Sequence, residues 1–129
     1  MTASELPAPE GLRRGLVLMT RRRYFEAHEV LEDLWRAEPG PERALWKGVV
    51  QVAVGLHHAA SGNARGAASL LRRGASHLEA FEPARHGIDV RGLRNAALGW
   101  AADMDEGGPP PDPSLLPALL GVDEPFPGD

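Results

Sequence analysis

The segment from Pro41 to about Ser61 constrains the fold most, because it is apolar nearly all round a helix. Its large apolar side chains point in several directions at helical spacing: Trp46, Val49, Val50, Val52, Val54 and Leu56. A helix with apolar residues on every side is stable only when other elements enclose it. We therefore predict that this segment is the central helix of the protein.

Small residues form a stripe along one side of the same segment. They fall within about 60° of one another on a helix that turns about 100° per residue: Ala44, Gly48, Gly55, Ala59 and Gly62. Each glycine inside a helix costs about 1 kcal/mol relative to alanine. Close packing of a second helix on this stripe is the expected compensation.

Hydrophobic periodicity predicts four or five helices and no convincing strand. The segments are Glu10 to about Thr20, about Tyr24 to Ala37, Pro41 to about Ser61, Asn63 to about Phe81, and Asp89 to about Met104. Asn63 and Asp89 are predicted N-caps, since such side chains accept hydrogen bonds from first-turn amides. The short joint before Asn63 predicts that the third and fourth helices form an antiparallel hairpin. We predict an all-α fold, a single compact bundle of about five helices over residues 1–104.

The composition changes at Asp105, after which prolines and glycines are frequent up to residue 129. Regular structure is expected to stop mostly at this point. Several apolar residues in this segment are ill suited to free solvation: Leu115, Leu116, Leu119, Leu120 and Phe126. We therefore expect residues 105–129 to form a Pro/Gly-rich tail that packs on the surface, over a groove of this chain or of a partner.

Composition excludes several classes of protein. The chain has 129 residues, one domain by length, and the absence of cysteine rules out disulfides and thiolate metal sites. A net charge of -4 gives no overall field that attracts nucleic acid. No apolar run approaches the roughly 20 residues of a membrane-spanning helix. We expect a soluble cytoplasmic protein without a nucleic-acid or membrane partner, and a homodimer, because the third helix is hard to cover in so small a bundle.

A polar pair interrupts the apolar stripe of the second helix. His28 and Glu32 stand four residues apart, so their side chains share one face, with Trp35 beside them as a wall. If the third helix faces them, an axis separation of about 8–10 Å lets Gln51 and His58 converge on the same point. Imidazole and carboxylate groups are ligands for divalent metals. We nominate His28, Glu32 and His58 as metal ligands, and Trp35 and Gln51 as contacts to a small polar ligand.

Three interpretations of this cluster stay open. A His28–Glu32 pair completed by Gln51 or Lys47 would satisfy its own hydrogen bonds and form a structural network, as buried polar groups require. That interpretation corresponds to a noncatalytic helix-hairpin interaction scaffold. The second interpretation is a site for a divalent metal or a small polar ligand, and the third is an exposed patch. An open cleft would favour the binding site, whereas a sealed cluster would favour the network.

No enzyme signature is complete in this sequence. The run from His28 to Glu32 begins like the zincin pattern, but Glu32 stands where that pattern has its second histidine. No glycine-rich phosphate loop follows a strand, and no serine has the context of a hydrolase nucleophile. Whether the protein is an enzyme is left open by the residues. In an enzymatic version, the metal would lower the pKa of a bound water molecule.

The same residues resemble the hallmark of domain-of-unknown-function family 309 of bacteria and archaea, which is His-x-x-x-Glu-x-x-Trp or Tyr. His28, Glu32 and Trp35 stand in those positions. The likeness includes residues 25–32 and 48–54 together with His58, Asn63, Gly66 and Ala67, and it covers about residues 14–81. It implies a small all-helical fold and a His–Glu pair suspected of binding metal. It implies no activity, because none is established for the family.

Overall fold

The structure is a computed structural model that describes residues 8–122. Within this range, six α-helices follow one another, with a short antiparallel ribbon between the fourth and fifth: α1 (Leu12–Thr20), α2 (Tyr24–Ala37), α3 (Arg43–Ala60), α4 (Ala64–Leu78), β1 (Ala84–Arg85), β2 (Ile88–Asp89), α5 (Val90–Asp105) and α6 (Leu116–Leu120). Short 3₁₀ turns follow α4 at Glu79–Phe81 and precede α6 at Pro113–Leu115. The predicted all-α fold is confirmed.

The third helix lies between its neighbours, with α2 packed on one part of its surface and α4 on another. Residues on nearly every side of α3 are buried: Leu45, Trp46, Gly48, Val49, Val50, Val52, Ala53, Gly55, Leu56 and Ala59. Full burial of one large aliphatic side chain contributes about 1.5–3 kcal/mol. The enclosure of α3 therefore accounts for a large part of the core, and α1 and α5 extend that core by packing on α2 and α4 respectively.

The third and fourth helices approach closely where glycines face each other. A Cβ atom built on Gly74 would lie 2.9 Å from the carbonyl oxygen of Gly48. At the other end of the contact, a Cβ atom on Gly55 would lie 2.9 Å from Cγ of Leu71. Gly48 and Gly55 of the small-residue stripe therefore permit the close antiparallel packing that the sequence predicts. Gly62 takes no part in it, because it lies beyond the end of α3 and an added Cβ there would meet nothing within 4 Å.

Both predicted N-caps are present. Asn63 Oδ1 accepts a hydrogen bond from the Gly66 amide at 3.0 Å, and Asp89 Oδ1 accepts one from the Gly92 amide at 2.9 Å. The ribbon that precedes Asp89 is an addition to the predicted elements. Each of its strands has only two residues, which is too short for an alternating pattern to appear in the sequence.

Part of the tail packs on the bundle of its own chain. Leu116, Leu120 and Val122 are buried, whereas Leu115 is 51% exposed. The last helix, α6, contacts α1 and β2. Phe126 lies outside the described residues, and the division of the chain at residue 104 stays a prediction.

Most of the apolar surface of α3 that motivated the homodimer prediction is covered within one chain, whereas Val54 is only partly buried. The homodimer itself stays a prediction, which sedimentation analysis at micromolar concentration would test. Between residues 8 and 122, no helix is long and apolar enough to cross a bilayer.

Candidate functional site

The His28–Glu32 pair forms on α2, as the spacing predicts. Nε2 of His28 lies 2.7 Å from Oε2 of Glu32, and the two side chains are 26% and 22% exposed. Arg36, one turn further along α2, forms an ion pair with Oε1 of the same carboxylate. Both carboxylate oxygens therefore have partners, and the pair is partly buried but open to solvent.

Trp35 contacts two cationic side chains of α3. Nζ of Lys47 lies 4.0 Å from the centroid of its ring system, and the guanidinium carbon of Arg43 lies 5.0 Å away. Such cation–π contacts contribute about 0.5–1 kcal/mol each at exposed sites. Trp35 therefore joins the end of α2 to the first turns of α3, and it borders an open cleft together with His77 of α4.

Gln51 pairs with α4. Its Oε1 lies 2.7 Å from Nδ1 of His77, and the same nitrogen lies 3.1 Å from the carbonyl oxygen of Arg73. Because both neighbouring atoms are hydrogen-bond acceptors, Nδ1 of His77 carries the proton and donates it. Gln51 thus fixes the orientation and the tautomer of the His77 ring.

An open groove between α2 and α3 is lined by aromatic rings. It has a volume of about 290 Å³, and its lining residues are Phe25, His28, Val54, His57 and His58. The ring centroid of Phe25 lies 5.7 Å from that of His28 and 5.7 Å from that of His57. Phe25 is 56% exposed. We call this feature the ring-lined groove.

His58 lies in this groove beside His57, with their ring centroids 6.1 Å apart. Nδ1 of His58 lies 3.3 Å from the side-chain amide nitrogen of Asn63, the N-cap of α4. The amide can donate, so this contact favours the tautomer with an unprotonated Nδ1. The proton of a neutral His58 then lies on Nε2.

The nominated residues occupy two places on one surface. His28 is held by Glu32 and shares the ring-lined groove with His58. Trp35 borders the cleft at the other end of α2, and Gln51 is bonded to His77 beside that cleft. Among residues 8–122, no three histidine, aspartate or glutamate side chains are grouped so that they could hold a metal ion.

Four residues that contribute rings or charge to this surface were not predicted as site residues: Phe25, His57, His77 and Arg43. Helical spacing places His57 on a different side of α3 from Gln51, yet His57 lines the groove, where the Phe25 ring of α2 lies 5.7 Å from its ring. His77 lies 26 positions from its partner Gln51, so only the packing of α3 on α4 identifies it. Arg43 did carry a signal, since it and Lys47 are basic residues four apart on one helix.

A separate polar cluster joins the ribbon to the start of α3. The side chain of His86 is 2% exposed, and its Nε2 lies 3.5 Å from Oε2 of Glu42. The His86 ring centroid lies 5.3 Å from that of Trp46. Arg85 approaches the other oxygen of Glu42, with its Nε 3.9 Å away. These contacts position the ribbon against α3 and take no part in the ring-lined groove.

Comparison with known proteins bears out the resemblance seen in the motif. Residues 12–70 match the family described as Domain of unknown function (DUF309). The uncharacterized protein YpuF of Bacillus subtilis (strain 168) is 40% identical to this chain over 78 residues. The match covers 60% of this chain and 43% of YpuF, so the chain spans less than half the length of that relative. No solved structure matches the chain significantly.

Proposed function

We propose that this protein, whose residues 12–70 belong to the DUF309 family, binds a small planar heteroaromatic ligand in the ring-lined groove. The observation that carries the proposal is the meeting of four aromatic rings around one open groove, with one of them more than half exposed. Isolated exposed apolar residues need no explanation, but a concave apolar surface with a few polar atoms is the usual form of a ligand site.

The chemistry of the groove suits a flat ring. Aromatic rings pair in offset or edge-to-face geometry with centroids about 4.5–7 Å apart, so a ligand ring can contact Phe25 and an imidazole together. Val54 supplies apolar surface beside them. Neutral imidazoles offer one donor and one acceptor each, which matches the nitrogen atoms at the edge of a heteroaromatic ring. Nε2 of His28 is paired with the carboxylate of Glu32, so Nδ1 is the ring nitrogen of His28 that remains for a ligand.

The hydrogen bonds around the motif support a structural role for some of the same residues. The chain of contacts from His28 through Glu32 to Arg36 is complete within α2. The bond from Gln51 to His77 ties α3 to α4. In the alternative of a noncatalytic scaffold, these contacts are the whole purpose of the motif. The ring-lined groove is the feature that this alternative leaves without a role.

A divalent transition-metal ion is the second candidate. Three imidazoles border the same groove, although among residues 8–122 no three metal-ligating side chains are grouped closely enough to hold an ion as they stand. Imidazole suits zinc, copper and nickel, and a carboxylate that holds a histidine, as Glu32 holds His28, is the common arrangement behind such ligands. His57 and His58 stand in the last turn of α3, where the helix dipole favours a cation. Binding through His28 and His58 requires their side chains to rotate toward each other.

Calorimetric titration tests the proposed function, with adenine and indole as probes. We expect adenine to bind more tightly than indole, because its ring nitrogens can pair with the imidazoles. Phe25→Ala should weaken adenine binding at least about tenfold, the loss that follows from about 1.4 kcal/mol of ring contact. Leu98→Ala is the matched control, since Leu98 is 37% exposed on α5, which does not border the groove. Equal adenine affinity in both variants would contradict the proposal.

The metal candidate needs its own experiment. Elemental analysis of protein purified without a metal-affinity tag should find stoichiometric zinc, nickel or copper, and the His28→Ala variant should lose it. Added zinc should raise the melting temperature of the wild type, because a ligand bound only to the folded state stabilises it. Protein that carries no metal and shows no thermal response to added metals would exclude this candidate. That result would not affect the proposal of a heteroaromatic ligand.

A further inference from the structure

An open cleft lies where the end of α2 meets the start of α3. Its volume is about 520 Å³, and it is lined by Trp35, Gly40, Pro41, Arg43, Ala44, Lys47 and His77. Trp35 is the last residue of the family motif, and Arg43 and Lys47 stand one turn apart on α3. We call this feature the cationic cleft.

Within residues 8–122, neither cation of the cleft has an acidic partner. None of the ion pairs between described residues includes Arg43 or Lys47. Other arginines of the same chain are paired with carboxylates, as Arg36 is with Glu32 and Arg72 is with Asp105. The cleft therefore carries two cations without a carboxylate partner in a protein whose overall charge is -4. One carboxylate lies at its rim, because Oε2 of Glu38 accepts a hydrogen bond from the amide of the lining residue Gly40 at 3.0 Å.

The contacts that hold the two cations are weak, and their mutual interaction is unfavourable. Arg43 and Lys47 both lie over the face of Trp35, and an exposed cation–π contact is weaker than a charge-assisted hydrogen bond to an oxyanion. Like charges four residues apart on a helix repel each other. An anion placed between them removes that repulsion and gains hydrogen bonds from both.

We propose that the cationic cleft binds the oxyanion of a small ligand, a phosphate or a carboxylate, through Arg43 and Lys47. The guanidinium of Arg43 can present two parallel N–H donors to two oxygens, while the ammonium of Lys47 acts as a point charge. This site is independent of the ring-lined groove, because the two features share no lining residue. It also gives Trp35 a role of its own, as the surface that keeps both cations in the cleft.

His77 completes the lining from α4. Its Nδ1 donates to Oε1 of Gln51 and lies near the carbonyl oxygen of Arg73, so its remaining polar atom is Nε2. In the imidazolium form, Nε2 carries a proton that an oxyanion can accept. Gln51 acts here as a positioning residue, because it reaches the cleft only through the His77 ring.

Titration with inorganic phosphate, phenyl phosphate and benzoate at constant ionic strength tests the proposal. Trp35 fluorescence reports binding, since Trp46 and Trp100 are buried, and a Trp35→Phe variant assigns the signal. We expect at least one of these oxyanions to bind. If phenyl phosphate binds more tightly than benzoate, the ligand is a phosphate. If benzoate binds more tightly, the ligand is a carboxylate.

Charge variants decide whether the cleft is responsible. Lys47→Gln and Arg43→Gln should each weaken binding about tenfold or more, as expected for the loss of one charge-assisted hydrogen bond. Arg65→Gln is the matched control, because it removes one positive charge from an exposed position on α4 outside the cleft. Lys47→Arg keeps the charge and should retain most of the affinity.

Three results would overturn the proposal. The first is the absence of binding by any of the three oxyanions at millimolar concentration. The second is unchanged affinity in Lys47→Gln and Arg43→Gln, with circular dichroism showing that both are folded. The third is an equal loss in Arg65→Gln, which would indicate a general effect of net charge. This proposal and the proposed function of the ring-lined groove can fail separately, because Phe25→Ala should weaken adenine binding and leave oxyanion binding unchanged.

Discussion

Replacement of Gly74 by alanine should destabilise the protein, although alanine is the better helix former. A Cβ atom at this position would lie 2.9 Å from the carbonyl oxygen of Gly48, 2.9 Å from Cγ2 of Val52 and 3.2 Å from the Val52 amide nitrogen. Two of these three atoms belong to the backbone of α3, which cannot rotate away as a side chain can. The two helices must therefore move apart to accommodate the methyl group.

The size of the effect follows from two opposing contributions. Alanine gains about 1 kcal/mol of helix propensity over glycine, and the overpacked methyl group costs about 1–3 kcal/mol. Because backbone atoms are contacted, we expect the upper part of that range and a net loss of about 1–2 kcal/mol. For a chain of this size, such a loss lowers the melting temperature by about 3–8 °C.

Urea denaturation followed by far-ultraviolet circular dichroism measures this change. Gly99→Ala is the matched control, because Gly99 lies within α5 and an added Cβ would meet nothing within 4 Å. That variant should be more stable than the wild type by about 0.5–1 kcal/mol. If Gly74→Ala stabilises the protein as much as Gly99→Ala does, α3 and α4 do not approach each other as closely as the structure describes.

Further predictions concern the tail, a helix cap and the only tyrosine. Leu120→Ala should lower the free energy of unfolding by about 2–4 kcal/mol. Leu115→Ala should change it by less than about 0.5 kcal/mol, because Leu120 is buried and Leu115 is exposed. Equal effects of the two substitutions in urea denaturation would refute the docking of α6. Asn63→Ala should cost about 1 kcal/mol, and Asn63→Asp should restore most of it, because the cap needs an acceptor for the Gly66 amide. Burial raises the pKa of Tyr24, against a smaller lowering by Arg22. The native state then holds the proton more tightly than the unfolded state, so stability should fall as the pH rises above about 10. If ultraviolet titration gives Tyr24 the same pKa in the native and the denatured protein, this prediction is contradicted.

The fold was predictable because its main signals are local and agree with one another. The boundaries of α2 follow from periodicity and from the prolines after Glu38, and α5 follows from the cap at Asp89. The ribbon before Asp89 depends on pairing between two-residue strands, which leave no periodic signal. The burial of Leu116 and Leu120 could be anticipated as an apolar content too high for free solvent, but their partners on α1 and β2 could not.

The candidate site was predictable only where it lies within one helix. His28 and Glu32 meet because a spacing of four residues on α2 brings them together whatever surrounds them. The hydrogen-bond partner of Gln51 depends on how α3 is rotated between α2 and α4. In the structure that partner is His77. Helical periodicity gives the direction of a side chain around its own axis, but it does not say which neighbouring helix lies in that direction.

The ring-lined groove is tested most directly by a nuclear magnetic resonance titration of the full chain with adenine. The expected result is a set of saturable shifts confined to the side chains of Phe25, His28, Val54, His57 and His58, and their loss in Phe25→Ala. Resonances of Leu98 and of the cationic cleft should not move. Shifts that are absent at millimolar adenine, or that lie elsewhere on the protein, would mean that the groove is not the binding site.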